Sequence, residues 1–266
     1  MPRPVSSLDR SIYIHQFNYG NLGDDWHAIV ARCIGAGANI IKLKALDGAD
    51  FMGTYDRVDP DSGAAVHWSN PRGIPHPLAV TGLDKWAELA RLARAGGADL
   101  VPWCVPHGHD LQGEFDAMDA LANYAGKLIE LDIEPYAQFW ESTPTRLVNL
   151  VRSLFERSIE VWIDADIRPY AASVLPLADL APYVTRWLSQ SYWTTFEVSA
   201  AIGVTADANL FAALPSGDWG AIFPAAGYAD FQAAADVAAE RDAAEIGLWS
   251  LNVTSPAALP AFAEVR

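Results

Sequence analysis

Eight short β-rich runs, each followed by helix-like sequence, constrain this chain more than any other feature of its 266 residues. The runs are Ser11–Phe17, Asn39–Lys44, Asp99–Val105, Leu128–Ile133, Glu160–Asp164, Thr185–Gln190, Gly220–Pro224 and Ile246–Ser250. Between them lie mostly Ala-rich stretches that read as helices: Asp24–Gly37, Leu83–Ala95, Gln112–Ala125, Thr143–Arg157, Pro169–Leu180, Asp207–Ala213 and Asp230–Ala243. Pro256–Val265 reads as a closing helix. Strands separated by helices imply parallel pairing through right-handed crossovers. Eight such units predict an α/β chain forming a single (β/α)8 TIM barrel over residues 1–266, a fold that takes roughly 250 residues as one domain. An open doubly wound sheet is the alternative, but no G-x-G-x-x-G follows the first run and no Walker A sequence occurs, so nucleotide binding loses support. Local signals agree with the helix pattern. Asp24 is placed to cap the first helix, with Gly35 and Gly37 near its end, and Thr143 precedes Pro144 at a helix start. Residues 45–80 are rich in Gly, Pro, Asp and His and too long for an ordinary connection, so they read as a functional insertion.

Composition narrows the partners. Apolar residues make up 51% of the chain, enough for one large core, and the net charge of -15 argues against nucleic acid and anionic membrane surfaces. No apolar run reaches the ~18 residues of a membrane span. Cys33 and Cys104 form no C-x-x-C pair, and one falls on a helix and the other on a strand, so neither zinc nor a disulfide is expected. The start, MPRPVSSLDR, lacks a hydrophobic signal core. A cytoplasmic location, a phage-associated role, export by a separate route and excision from a longer protein all stay open, as does the oligomeric state.

The fourth β-run carries the chemistry. It reads L-I-E-L-D-I-E-P-Y from Leu128 to Tyr136, with acids at every second position: Glu130, Asp132 and Glu134. A strand alternates its faces, so these acids share one face while Leu131 and Ile133 share the other. Buried acids are costly unless paired or put to use. In a barrel, the strand ends of one face form the mouth where active sites lie, and a pair of carboxylates there suits glycosidic bond cleavage. Neighbouring carboxylates cannot both ionise easily, so one is expected to keep a proton near neutral pH. Glu134, nearer the mouth and longer, is assigned as that acid, with Asp132 assisting. Glu130, deeper, is expected to pair with Lys42 as a structural ion pair, and Lys44 could pair with the other two acids in the same way.

The other strand ends supply a matching set: His15 and Gln16 at the first, Lys44 and the following Asp47 at the second, and Trp103, Cys104, His107 and His109 at the third. Tyr136 follows the fourth, Asp164 and Asp166 close the fifth, Gln190, Tyr192 and Trp193 the sixth, and Trp249 and Asn252 the eighth. The chain holds 10 tryptophans, and a flat indole face suits the apolar side of a sugar ring. Tyr192, Trp193 and Trp249 are therefore expected to shape a sugar site. Asp164 and Asp166 are alternatives for the second carboxylate, and with Asp132 and Glu134 they could also gather a divalent cation. No G-x-S-x-G elbow occurs, which disfavours the usual α/β serine hydrolase. No cofactor is implied.

These residues resemble a known family. The D-I-E of Asp132–Glu134 resembles the D-x-E of the family 25 glycoside hydrolases, the barrel-shaped lysozymes. I-I-K-L-K-A-L-D-G-A-D-F at Ile40–Phe51 is similar to that family's second strand and its K-A-[ST]-E-G turn, and Q-S-Y-W at Gln190–Trp193 to its late-strand glutamine and aromatic positions. The chain departs from the pattern at the first strand, where His15 or Gln16 stands in place of an Asp, and at the turn, where Asp47 replaces Glu. Family 18 chitinases are also similar, because their fourth strand ends in D-x-E. In them the Glu is the acid and the Asp steers the substrate's own acetamido group to act as nucleophile, which maps onto Glu134 and Asp132. The resemblance implies a barrel glycoside hydrolase acting on an N-acetylated glycan such as peptidoglycan or chitin. The missing first-strand Asp favours a second reading, a glycan-binding or structural barrel without turnover. A metal-dependent barrel hydrolase is the third.

Overall fold

The computed structural model describes residues 4–19, 22–23, 25–166, 169–215, 217–252, 254 and 257–266. Eight strands form the frame: β1 Asp9–Ile14, β2 Ile40–Asp47, β3 Asp99–Val105, β4 Leu128–Ile133, β5 Glu160–Ala165, β6 Arg186–Gln190, β7 Asp218–Phe223 and β8 Glu245–Leu248. Each pairs in parallel with its neighbours in sequence, and β1 pairs with both β2 and β8, so the sheet closes. The fold is a (β/α)8 TIM barrel. The surrounding helices are α1 Trp26–Gly35, α2 Leu83–Gly96, α3 Leu111–Tyr124, α4 Pro144–Glu156, α5 Pro169–Val174, α6 Leu177–Leu180, α7 Trp193–Phe196, α8 Ala200–Phe211, α9 Tyr228–Glu240 and α10 Ala258–Glu264.

Strand alternation sorts the side chains into two layers. Ile12, Ile14, Ile41, Leu43, Ile129 and Leu131 face outward into the main core beneath the helices. Tyr13, Val101, Trp103, Trp162, Leu188 and Ile222 fill the barrel interior. The inward set also carries charge. Lys42 is fully buried, with Nζ 2.7 Å from Glu130 Oε2, 2.6 Å from Glu245 Oε1 and 3.0 Å from the Tyr13 hydroxyl. The Lys42–Glu130 pair is the one the sequence suggests. Glu245 joins from β8 and is held in turn by Arg186 at 2.8 Å and by Ser11 Oγ at 2.5 Å. This network forms the floor on which the mouth is built.

Several boundaries differ from expectation, each for a local reason. The Asp24 cap lies outside the described residues; Asp25 caps α1, accepting from the His27 amide at 2.9 Å. The stretch Pro169–Leu180 breaks into α5 and α6 with Pro176 at the junction, where proline cannot donate to a continuing helix. Helix α8 starts at Ala200, capped by Ser199, well before the expected Asp207. Pro256, expected to open the last helix, also lies outside the described residues. Cys33 and Cys104 are buried and free. No helix among the described residues is long and apolar enough to cross a membrane.

The insertion at residues 45–80 is ordered. Asp50–Phe51 folds back antiparallel on the end of β2, and Arg57–Val58 pairs with Ala65–Val66 and Ile74–Pro75 in a separate small sheet. Asp56 ties it to the barrel by accepting from the amides of Phe17 at 2.5 Å and Asn18 at 2.6 Å, just after β1. Phe17 stacks on His76 at 5.5 Å.

Candidate active site

Strand β4 ends at Ile133, so Asp132 is its last inward residue and Glu134 the first beyond it. Asp132 is 3% exposed, while Glu134 is half-buried. One donor joins them. The Gln190 side-chain amide, at the end of β6, donates to Glu134 Oε1 at 2.6 Å and to Asp132 Oδ1 at 3.3 Å. Burial pushes the Asp132 carboxyl well above the usual carboxylate range, and the Glu134 charge beside it pushes it further. The deeper Asp132 is thus costly to ionise beside Glu134. Such close acids titrate as a pair.

A cavity of about 170 Å³ opens over this pair, lined by His15, Lys44, Trp103, Val105, Asp132, Glu134, Phe139, Gln190, Tyr192 and Trp249. Its wall is aromatic. Trp103 meets Trp249 edge-on at 5.1 Å, and Tyr192 lies 6.3 Å from Trp249. Burial and the charges of Asp164, Asp132 and Glu134 push the Tyr192 hydroxyl well above its usual range, so it stays a neutral O–H. His15 packs against Trp103 and Trp249 at 5.9 and 6.1 Å. Burial, aided by the Lys44 charge, brings His15 down to about 4, so a neutral imidazole faces the cavity at neutral pH.

Lys44 pairs with Asp47 rather than with Asp132 or Glu134, the structural pairing that the sequence leaves open. Its Nζ binds Asp47 Oδ2 at 2.5 Å while its charge still lowers the proton affinity of Asp132. The other oxygen of Asp47 contacts His107 Nε2 at 2.5 Å. These two cations and their hydrogen bonds overcome the opposing effect of burial and hold Asp47 down at about 2.

Trp193, Asp164, Asp166 and Tyr136, expected at the site, do not line this cavity. Trp193 is buried against Phe223 at 5.1 Å, in the core beneath the helices. It opens helix α7, whereas Tyr192, the residue before that helix, faces the cavity. Asp164 sits directly beside Asp132 in the β4–β5 register but is fully buried, and neither of its oxygens has a hydrogen-bond partner among the described residues. Asp166 accepts from the Tyr136 hydroxyl at 2.7 Å, and Tyr136 stacks on Tyr170 at 6.2 Å. Among the described residues, no three His, Cys, Asp or Glu side chains are grouped to hold a metal ion. The Asp47–His107 contact and the Gln190 bridge have no signal in the sequence spacing.

No protein-family model matches this chain, and no curated protein matches its sequence. Solved structures do match its fold. The spore cortex-lytic enzyme SleL of Bacillus cereus aligns with TM-score 0.66 at 8% identity, over 100% of this chain and 76% of that one. Active domain 2 of the thermostable chitinase from Pyrococcus furiosus aligns with TM-score 0.65 at 12% identity, over 98% and 94%. A monomeric β-xylosidase from Caulobacter crescentus aligns with TM-score 0.61 at 10% identity, over 99% and 68%. The barrel is thus structurally similar to those of glycoside hydrolases.

Proposed function

We propose that this chain is a glycoside hydrolase acting on an N-acetylated glycan such as chitin or peptidoglycan. The observation that carries the reading is the Asp132/Glu134 pair, joined by one Gln190 amide at the floor of an aromatic-walled cavity at the barrel mouth. Glu134 reaches the opening and protonates the leaving glycosidic oxygen. Asp132, deeper and costly to ionise, shares its proton with Glu134 and orients the group that attacks the anomeric carbon. Trp103, Trp249 and Tyr192 pack the ring.

The pair's spacing supports retention of configuration. The two Gln190 bonds laid end to end fall short of the ~6.5 Å at which an inverting pair begins. A nucleophile supplied by the substrate's acetamido group, as in the family 18 pattern, suits this spacing better than the family 25 resemblance, whose first-strand Asp is replaced here by a neutral His15. The same absence favours the second reading, a glycan-binding barrel without turnover.

The test is release of reducing ends from peptidoglycan, chitin and neutral polysaccharides by wild type and by Glu134→Gln. Release by wild type that Glu134→Gln loses while still binding the polymer supports the reading and identifies the substrate. Binding without release by a folded wild type replaces it with the second. Equal release by both proteins removes Glu134 from the acid role.

A further inference from the structure

The P-H-G-H-D loop after β3 contributes no residue to the cavity wall, yet it is bonded to two of the residues that do or to their immediate partners. His107 lies between two groups that can only accept hydrogen bonds. Nε2 is 2.5 Å from the Asp47 carboxylate and Nδ1 is 3.1 Å from the Phe139 carbonyl. Both contacts are satisfied together only when both ring nitrogens carry protons, which is the imidazolium. Asp47 in turn grips Lys44 with its other oxygen. Lys44 and Phe139 both line the cavity, and Trp140, next in the chain, donates its amide to the Glu134 carbonyl at 3.0 Å.

We propose that His107 is a positioning residue. As an imidazolium it holds Asp47, and through Asp47 the Lys44 ammonium, beside Asp132, while its second N–H fixes the Phe139 wall. Loss of its proton breaks one of these two links. The neutral ring keeps a single N–H, so a lone pair then faces either Asp47 or the Phe139 carbonyl. In the first case Asp47 turns and Lys44 is released; in the second the wall of the cavity shifts. Either outcome reaches the reacting pair.

The surroundings favour the charged ring. Asp47 bonds it from β2, and the Glu114 carboxylate faces it from α3, where both Glu114 oxygens accept from the Gly108 amide at 2.9 and 3.0 Å. His109 stacks on it at 5.9 Å and is itself 3.5 Å from Glu141. Lys44 is the opposing cation, one carboxylate away. The Asp47 hydrogen bond raises His107 above its ordinary range against the opposing effect of burial. The ring is partly open to solvent, so it can exchange its proton with the medium.

The inference rests on the glycosidase reading for its effect on rate, but its structural core is testable without turnover. Nitrogen-edited NMR of the histidine rings in the ligand-free protein reads the charge state directly. The expected result is a doubly protonated His107 at pH 7, a fall in its pKa in Asp47→Asn, and Phe139 ring signals that titrate along with it. A single neutral tautomer at pH 7, or Phe139 signals that ignore its titration, overturns the proposal. In kinetics, Glu134 as the acid imposes its own alkaline limb on kcat/KM, so the readout is the rate below that limb. His107→Gln runs roughly 10-fold lower there, with kcat and KM both changed. A His107→Gln rate equal to wild type there also overturns the proposal, whereas a wild type that hydrolyses nothing contradicts only the glycosidase reading.

Discussion

Replacing Lys42 by Met removes the only ammonium in the barrel floor among the described residues, and its contacts determine the consequences. Glu245 keeps Arg186 at 2.8 Å and Ser11 at 2.5 Å, so it stays paired. Glu130 keeps only the Tyr13 hydroxyl at 2.6 Å. It is fully buried, and in the wild type burial pushes its carboxyl up while Lys42 pulls it back. Breaking a buried pair from one side costs about 3–5 kcal/mol. For a domain of this size that corresponds to a loss of roughly 10 °C in Tm. The cost depends on pH, with a definite sign. Glu130 is already raised in the wild type, and without Lys42 its folded pKa rises further above the unfolded value near ~4.3, so the folded state holds the proton to higher pH. Stability then falls as pH climbs from about 4 toward the raised folded pKa, by up to ~1.4 kcal/mol per pH unit. The variant is therefore closest to wild type near pH 4 and furthest from it near pH 8. Lys42→Met combined with Glu130→Leu removes both charges and recovers most of the loss. Urea unfolding of wild type, single and double variants at several pH values measures all of this. A single-variant cost that is flat with pH, or a double variant no more stable than the single, refutes the reasoning.

The remaining predictions concern the mouth. Gln190→Leu removes a donor shared by both carboxylates, so the acid limb of kcat/KM moves up by about one pH unit; an unmoved limb contradicts the bridge. Hydrolysis followed by proton NMR releases the product with retained anomeric configuration, and an inverted first product contradicts the spacing argument. Trp249→Ala raises KM with little loss of Tm, whereas Trp193→Ala costs roughly 3–5 kcal/mol of stability and, where it folds, leaves KM near wild type. Asp47, held at about 2, contributes about 2 kcal/mol of stability above pH ~4 that is lost as pH falls toward 2, so Asp47→Asn flattens acid unfolding across that window.

The barrel is largely legible in the sequence because its signals are local and repeated. Strands β3 and β4 have the expected ends, and Thr143 caps α4 by accepting from the Arg146 amide. Helix α8 is longer than its sequence suggests because its first turns, Ala200 to Thr205, show little amphipathic contrast, being covered only in part. Strand β2 runs three residues beyond its expected end because Ala45, Leu46 and Asp47 precede a Gly and look like the start of the loop. There the pairing with β3 also shifts register between Lys44 and Leu46.

The site divides in the same way. Inward residues at a strand's own end, such as Asp132, Lys44 and Trp103, follow from two-residue periodicity. Tyr192 and Trp193 lie past the end of β6, where the chain turns into α7, so strand period cannot sort them. Links between distant segments leave no such trace. His107 meets Asp47 across 60 positions, and Gln190 meets Glu134 across 56. Each depends on the barrel bringing two loop ends together, which only the closed fold supplies.

The central claim is that Glu134 delivers the proton to the leaving oxygen. It is tested most directly by the rates of wild type and Glu134→Gln on a series of aryl glycosides of graded leaving-group acidity. Acid catalysis is needed least when the leaving group departs readily as an anion. The account predicts that Glu134→Gln is nearly as fast as wild type on the most acidic leaving group and falls by about 10²–10⁴-fold on the least acidic. A loss of the same size across the whole series would show that Glu134 does something other than protonate the departing oxygen.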